Sequence, residues 1–219
     1  MNLFSKIDKH FHNQYLTTFW HDKNKILTKA VKILIETIIL DDKDLSENER
    51  KYNIHINKYE ENIGKIYVKK ILEWGGGYGG LCHELNKRKS FETYIIIDLP
   101  VMCYIQYYYL KNMVKDKEIN LITIENMVIK DGCVNLISLP FITKIDTDYL
   151  KSDMFISTWG LSESGMESFK FVNNHNFLKS KKILLAFNYR QNEDFPFTKI
   201  KVKHSIDVPI DTNNKYVFK

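Results

Sequence analysis

The chain is poor in the residues that punctuate or staple a fold. It has 3 cysteines, 4 prolines and 9 glycines in 219 residues. Cys82, Cys103 and Cys133 lie far apart and form no C-x-x-C. Neither a disulfide framework nor a cysteine-rich metal site is therefore expected, and free packing thiols in a reducing compartment are. No apolar core follows Met1-Asn2-Leu3-Phe4 to suggest a signal peptide, so the expected location is cytoplasmic. The most apolar run, Ala30 to Leu40, is broken by Lys32 and Glu36. It is too short to cross a bilayer, and no membrane partner is expected. There is no H-x-x-H and no dense Asp/Glu cluster, which leaves a metal without support. The net charge is +5, but the lysines behind it are spread along the chain without an arginine-rich arm. Nucleic acid is not expected as a partner. Composition does not set the oligomeric state, and a homo-oligomer stays open.

Against this scarcity one segment stands out. Five of the 9 glycines fall within Gly75–Gly80. They follow the short apolar run Ile71-Leu72-Glu73-Trp74, and a helix-compatible stretch with Leu81, Cys82 and Leu85 comes next. About twenty residues on, Tyr94-Ile95-Ile96-Ile97 ends in Asp98. The outline is strand, tight glycine turn, helix, strand, acid, which is that of a nucleotide-binding βαβ unit. Glycines permit dihedrals closed to other residues and let a ligand approach the main chain.

Two cofactor classes fit. Gly75, Gly77 and Gly80 satisfy G-x-G-x-x-G, the dinucleotide fingerprint. Glu73, Gly75, Gly77 and Gly79 satisfy E-x-G-x-G-x-G, the first motif of class I S-adenosylmethionine-dependent methyltransferases. A pyrophosphate would sit at the following helix N-terminus, where the Glu73 carboxylate would repel it. S-adenosylmethionine has no phosphate and carries an ammonium and a sulfonium, which an acid favours. The second class is preferred on charge, and an NAD-linked oxidoreductase is the alternative.

A wider likeness supports that preference. Asp98-Leu99-Pro100, Asp153-Met154-Phe155-Ile156-Ser157 with Ser162-Glu163-Ser164, and Ile183-Leu184-Leu185-Ala186-Phe187-Asn188 resemble the sugar O-methyltransferases of bacterial surface-polysaccharide clusters. The likeness covers roughly residues 66–190. It implies transfer of a methyl group from S-adenosylmethionine to a hydroxyl of a sugar or sugar-derived acceptor. It also implies that Glu73, Gly75, Gly76, Gly77, Tyr78 and Gly79 hold the methionine end of the cofactor. Asp98 would hold the ribose, Leu99 would lie near the adenine, and Thr158 would line the same cleft. A nucleic-acid methyltransferase would more commonly carry Asn/Asp-Pro-Pro-aromatic after the fourth core strand, where this chain reads Ser157-Thr158-Trp159-Gly160. A non-catalytic partner subunit with the same fold is the remaining alternative.

The expected fold is α/β, a Rossmann-like methyltransferase sheet of order 3-2-1-4-5-7-6 with an N-terminal helical cap. Residues 1–66 form the cap and residues 67–219 the cofactor-binding domain. Ile26, Leu27, Ala30, Val31, Leu34, Ile35 and Ile38 recur at helical spacing. Asp41-Asp42-Lys43-Asp44 reads as a charged loop, with Ser46 and Glu49 as a capping box after it. Whether the cap is a lid or a completion of the core is open. Strands are expected at 69–74, 93–97, 154–158 and 182–188. A tyrosine-rich helix at 101–113 presents residues 104, 107, 108 and 109 on a half-buried face. Either 120–124 or 134–139 is the third core strand. The tail reads as strands at 198–204 and 215–218 around a polar turn, Asp211-Thr212-Asn213-Asn214.

The acceptor hydroxyl must be oriented and must lose its proton. Glu163, just past the fourth strand, is the first candidate for that work, and an acid favoured at a helix start is the equal alternative. His175 in Asn173-Asn174-His175-Asn176 is the second, and His21 beside Trp20 could reach over from the cap.

Overall fold

The computed structural model describes residues 42–188, 204–208 and 211–219. Helix α1 spans Asp42–Asn62 and precedes strand β1, Val68–Trp74. Then come α2 (Gly80–Lys87), β2 (Phe91–Asp98), α3 (Pro100–Met113), β3 (Ile119–Leu121) and β4 (Val134–Ser138). They are followed by β5 (Met154–Thr158), α4 (Met166–Asn174), β6 (Lys182–Asn188), β7 (His204–Val208) and β8 (Asp211–Phe218). The eight strands form one sheet of order β3-β4-β2-β1-β5-β6-β8-β7. All pairs are parallel except β6 with β8 and β8 with β7. This is the expected order 3-2-1-4-5-7-6 with one added edge strand, β3.

The ambiguity over the third core strand is thereby resolved. β4 pairs with β2, and the segment around Asn120 is the short outer edge. The reason lies in burial. Every residue of β4 is buried, whereas β3 buries only Asn120 of its three.

The central strands are buried on both faces, as parallel strands under helices on each side must be. Side chains alternate between the faces. Leu72, Trp74, Ile95 and Ile97 enter a cluster covered by Phe169, Phe171 and Val172 of α4 and by Val101, Met102 and Ile105 of α3. Ile71, Tyr94 and Ile96 enter a second cluster with Ile56 and Tyr59 of α1, Leu81 and Leu85 of α2, and Leu110 of α3. All three cysteines are free and buried.

Two local expectations are corrected. The chain is already helical at Asp42, so Ser46 lies inside α1 and is not a new helix start. Asp211–Asn214 is the first half of β8 and not a turn, with Asn214 opposite Asn188 of β6. The expected helix at 26–38, His21, and the expected strand residues 198–203 lie outside the described residues.

Helix α1 completes the core. Ile56 and Tyr59 are fully buried, and the Tyr59 hydroxyl donates to the Lys219 carbonyl at the start of the β6–β8 pairing. Its earlier turns reach the opposite edge of the sheet, where Tyr52 meets the glycine loop. Of the expected cap, residues 1–66, residues 1–41 lie outside the described residues.

The strand order reverses between β1 and β5, so the loops after them diverge above the sheet. At their base they touch. A Cβ on Gly75 would stand 2.6 Å from the Gly160 Cα, and Gly75 has φ +76°. Gly132 has the same φ with nothing among the described residues within 4 Å, which separates strain from contact. Gly132→Ala should lose about 1–2 kcal/mol for the left-handed backbone. Gly75→Ala should lose a further 1–3 kcal/mol or so from the clash. Urea midpoints compare them, and equal losses would show that the two loops part freely.

Candidate functional site

Three strand ends meet above the sheet on the side of the glycine loop. Asp98 ends β2 and stands opposite Ser138, the last residue of β4. Glu73 is the penultimate residue of β1 and lies opposite Ile96. Thr158 ends β5 and is half-buried. The structure therefore brings Glu73, Gly75–Gly79, Asp98, Leu99 and Thr158 to one edge.

The two acids are buried, Glu73 at 1% and Asp98 at 8% exposure. The Tyr94 hydroxyl donates to Glu73 Oε2 at 2.9 Å, and the carboxylate lies under Gly76, 3.1 Å from where a Cβ would be. Burial pushes the Glu73 carboxyl up from 4.5 to about 8; Tyr94 opposes this and the nearby Asp98 charge adds to it. Burial likewise raises Asp98 from 3.8 to about 7, against the hydrogen bonds it accepts. Those come from the Leu99 N–H to Oδ1 at 2.8 Å, from Gln106 Nε2 to Oδ2 at 2.8 Å, and from the Gly77 and Gly76 amides. Gln106 Nε2 also donates to the Gly77 carbonyl at 2.7 Å. Its Oε1 is buried with no partner. Among the described residues no lysine or arginine forms an ion pair with either acid.

The loop leaves a cradle. Gly77 has φ +58°, and among the described residues the only atom near its missing Cβ is the Tyr52 hydroxyl at 3.7 Å. Tyr78, between the glycines, turns into an aromatic layer with Tyr52 (5.6 Å) and Tyr109 (4.8 Å), both edge-on. Tyr109 in turn shares a hydrogen bond with His83 at 3.0 Å. Tyr109 is thus buried while Tyr108 is 48% exposed, the half-buried face expected of α3.

The loop after β5 is tied to β1. Ser157 Oγ donates to the Trp74 carbonyl and accepts from the Leu161 N–H, both at 2.9 Å. Trp74 Nε1 donates to Ser164 Oγ at 3.1 Å. Trp159 sits in this loop with φ +66°, a conformation bulky side chains rarely take. Strain of this kind is of order 1–3 kcal/mol and is held by surrounding contacts.

Glu163 is exposed in the same loop, its N–H bonded to the Trp159 carbonyl. His175 is separated from it. It caps the C-terminal end of α4, stacked on Phe171 at 3.9 Å with Nδ1 bonded to the Phe171 carbonyl. α4 runs back from the end of β5 to the start of β6, so His175 lies at the edge away from the glycine loop. Ser157, like Thr158, is expected at the cleft from its place at the end of a strand; Gln106, Tyr52 and His55 carry no such signal in the sequence motifs. For Gln106 a different signal existed, a polar residue on the apolar side of a helix.

Among the described residues Glu49, His83 and Glu84 hold ligand atoms within 4.8 Å of one another. Lys87 Nζ already lies 2.7 Å from Glu84 and 3.5 Å from Glu49. That ammonium supplies the balancing charge.

No protein-family model matches the chain, and no curated protein matches it in sequence. Solved structures do. The methyltransferase domain of a bacterial Hen1 aligns with a TM-score of 0.52 at 13% identity, over 80% of this chain and 98% of that one. A protein of the NADB-Rossmann superfamily from Streptococcus agalactiae aligns at 0.50 and 8% identity, over 75% and 66%. The tRNA methyltransferase TrmK of B. subtilis aligns at 0.50 and 8%, over 75% and 63%. The chain spans about two thirds of the last two. At such identities the likeness shows the fold, the Rossmann-like sheet of class I methyltransferases.

The raised carboxyls predict a pH dependence. Between pH 4.5 and about 8 Glu73 holds more proton in the folded than in the unfolded chain. Its contribution therefore lowers stability as pH rises through that window, and the loss is complete above it. Asp98 acts the same way from 3.8 to about 7. Glu73→Gln should gain on wild type between pH 5 and pH 9, by at least about 1 kcal/mol. Denaturant titrations at the two pH values check this; parallel profiles would refute it.

Proposed function

We propose that the protein is an S-adenosylmethionine-dependent O-methyltransferase acting on a hydroxyl of a sugar or sugar-derived acceptor. The observation that carries the cofactor is the pair of buried acids beneath a glycine cradle, with no cationic side chain among the described residues paired to them. Removing carboxylates from water is costly unless an opposite charge compensates. A ligand with an ammonium and a sulfonium supplies that charge, whereas a pyrophosphate would add to the repulsion. The terminal antiparallel strands β7 and β8 support the same reading, since a dinucleotide dehydrogenase normally continues with a second βαβ half. The sugar acceptor rests on the sequence resemblance.

The residues present fit the cofactor. The Gly75–Gly79 loop with Glu73 beneath it would hold the amino-acid end, where Gly77 leaves room that a Cβ would fill. Asp98, at the end of β2, would take the ribose hydroxyls in place of the loop amides it now accepts from. Leu99 offers an apolar flank for the base, and Thr158 closes the side toward β5. Bound there, the cofactor supplies an electrophilic methyl group. The protein's part is to orient the acceptor in line, exclude water and receive a proton. Glu163, exposed beside the cleft, suits holding acceptor hydroxyls.

S-adenosylhomocysteine should bind in the low micromolar range, about 7–8 kcal/mol, and raise Tm, while saturating NAD should not. Its affinity should increase from pH 6 to pH 8, because its ammonium favours the ionised acids. A flat pH profile, or stabilisation by NAD alone, would remove the assignment.

Asp98→Asn keeps the shape and should weaken that binding by roughly 1.5–3 kcal/mol. Calorimetry on the folded variant decides, and wild-type affinity would end the ribose role. Glu163→Gln should leave S-adenosylhomocysteine affinity unchanged and raise the acceptor KM about tenfold, the scale of one hydrogen bond to a charged group. An unchanged KM would make Glu163 only a loop acid.

A further inference from the structure

We propose that His55 is the group that takes the proton from the acceptor hydroxyl, and that Trp159 is the gate in front of it. The proposal rests on the methyl-transfer reading above. His55 is fully buried, yet among the described residues its Nε2 has no hydrogen-bond partner. Its Nδ1 is paired with the Tyr216 hydroxyl of β8. Buried polar atoms without partners are few in folded proteins, and each calls for an explanation. With the proton on Nδ1 and donated to Tyr216, Nε2 is left with a free lone pair. A second residue fixing the tautomer is the usual arrangement for a histidine base.

What lies beside the imidazole is the strained part of the cleft. The Trp159 ring is edge-on to His55 with centroids 5.0 Å apart. Trp159 follows Thr158 directly at the end of β5, and its N–H is bonded to the Ala186 carbonyl at 2.7 Å. Its φ of +66° aims the indole in a direction an ordinary backbone would not. The ring is half-buried, with Lys51 Nζ 5.1 Å from its centroid. The indole thus stands against the imidazole directly after the end of β5, the edge that also carries the glycine loop. In the proposal, a turn of this one side chain opens the imidazole to that edge.

The step balances. The hydroxyl proton passes to Nε2 while the oxygen's electron pair forms the bond to the methyl carbon. The carbon–sulfur bond breaks and its pair stays on sulfur, leaving a neutral thioether. The imidazolium returns its proton to water when the gate is open. Burial, with help from the Lys51 charge, lowers His55 to about 4, so the ring starts neutral at pH 7. The titratable groups that face it are Lys51 and Tyr52 on its own helix and Tyr216 on β8.

The test uses the full chain. Diethylpyrocarbonate acylates neutral, accessible imidazoles, and mass spectrometry of the peptide reads His55 alone. His55 should react slowly in wild type and at least tenfold faster in Trp159→Gly, a change that also relieves the backbone and so preserves folding. Equal rates would show that Trp159 does not cover His55 and would overturn the proposal without any acceptor. Turnover is read on a panel of nucleotide sugars. His55→Gln should lower kcat at least a hundredfold and leave S-adenosylhomocysteine affinity within twofold. Wild-type turnover in His55→Gln would overturn the proposal while leaving the methyltransferase reading intact. Failure of wild type to bind S-adenosylhomocysteine would overturn both. Where the panel yields no product, the labelling result decides alone.

Discussion

Burying two carboxylates at neighbouring strand ends is the condition around which the rest is arranged. Glu73 and Asp98 lie on adjacent parallel strands, and each raises the cost of ionising the other. Tyr94 must face Glu73 from β2, so the side-chain alternation of that strand is fixed by the acid as well as by the core. The Gly76 and Gly77 amides must turn toward Asp98, which requires a loop that ordinary residues could not follow. α3 must start at once after Leu99, so that Gln106 reaches both Asp98 and the Gly77 carbonyl. An apolar pair of similar size would be at least as stable there. The proposed cofactor's positive charge would account for the acids.

The glycine loop is not an independent module. Tyr52 from α1 packs against it so closely that a Cβ on Gly80 would stand 2.2 Å from the Tyr52 ring. Tyr78 carries the contact on to Tyr109 and His83. One aromatic layer thus joins α1, the loop, α2 and α3. The hydroxyls of Tyr52 and Tyr78 stay protonated because burial raises both, so the layer remains neutral beside two acids. Any ligand that shifts the loop works against α1, which is anchored to β8 through Tyr216 and to the chain end through Tyr59.

The parts of this arrangement that could be read from sequence are those with a local cause. β5 and β6 are legible to the residue because each is a short apolar run between polar breaks. The glycine motif and Asp98 are legible because their spacing is local. β3 and β4 were indistinguishable, since only sheet neighbours decide which strand is covered on both sides. The polar start of β8 was hidden because pairing with β6, rather than hydrophobicity, makes it a strand. Gln106, Tyr52 and His55 act across long sequence separations, from α3 to the glycine loop, from α1 to that loop, and from α1 to β8. Nothing in their immediate neighbours announces that.

Chain direction separates the candidates on the acceptor side more sharply than residue type does. In a parallel sheet each crossover leaves from the ligand edge and returns to the opposite one. A residue's distance along the crossover therefore fixes which edge it reaches. Glu163 comes directly after β5 and stays beside Trp159. His175 comes after the whole of α4 and ends beneath Phe171, although histidine is the more usual proton acceptor. α1 runs the other way, its Tyr59 end beside the sheet's starting edge and its Tyr52 end beside the glycine loop. His55 enters the ligand side by that reversed path, which is why a helix preceding the first strand can furnish a group to a cleft made by the strands' far ends.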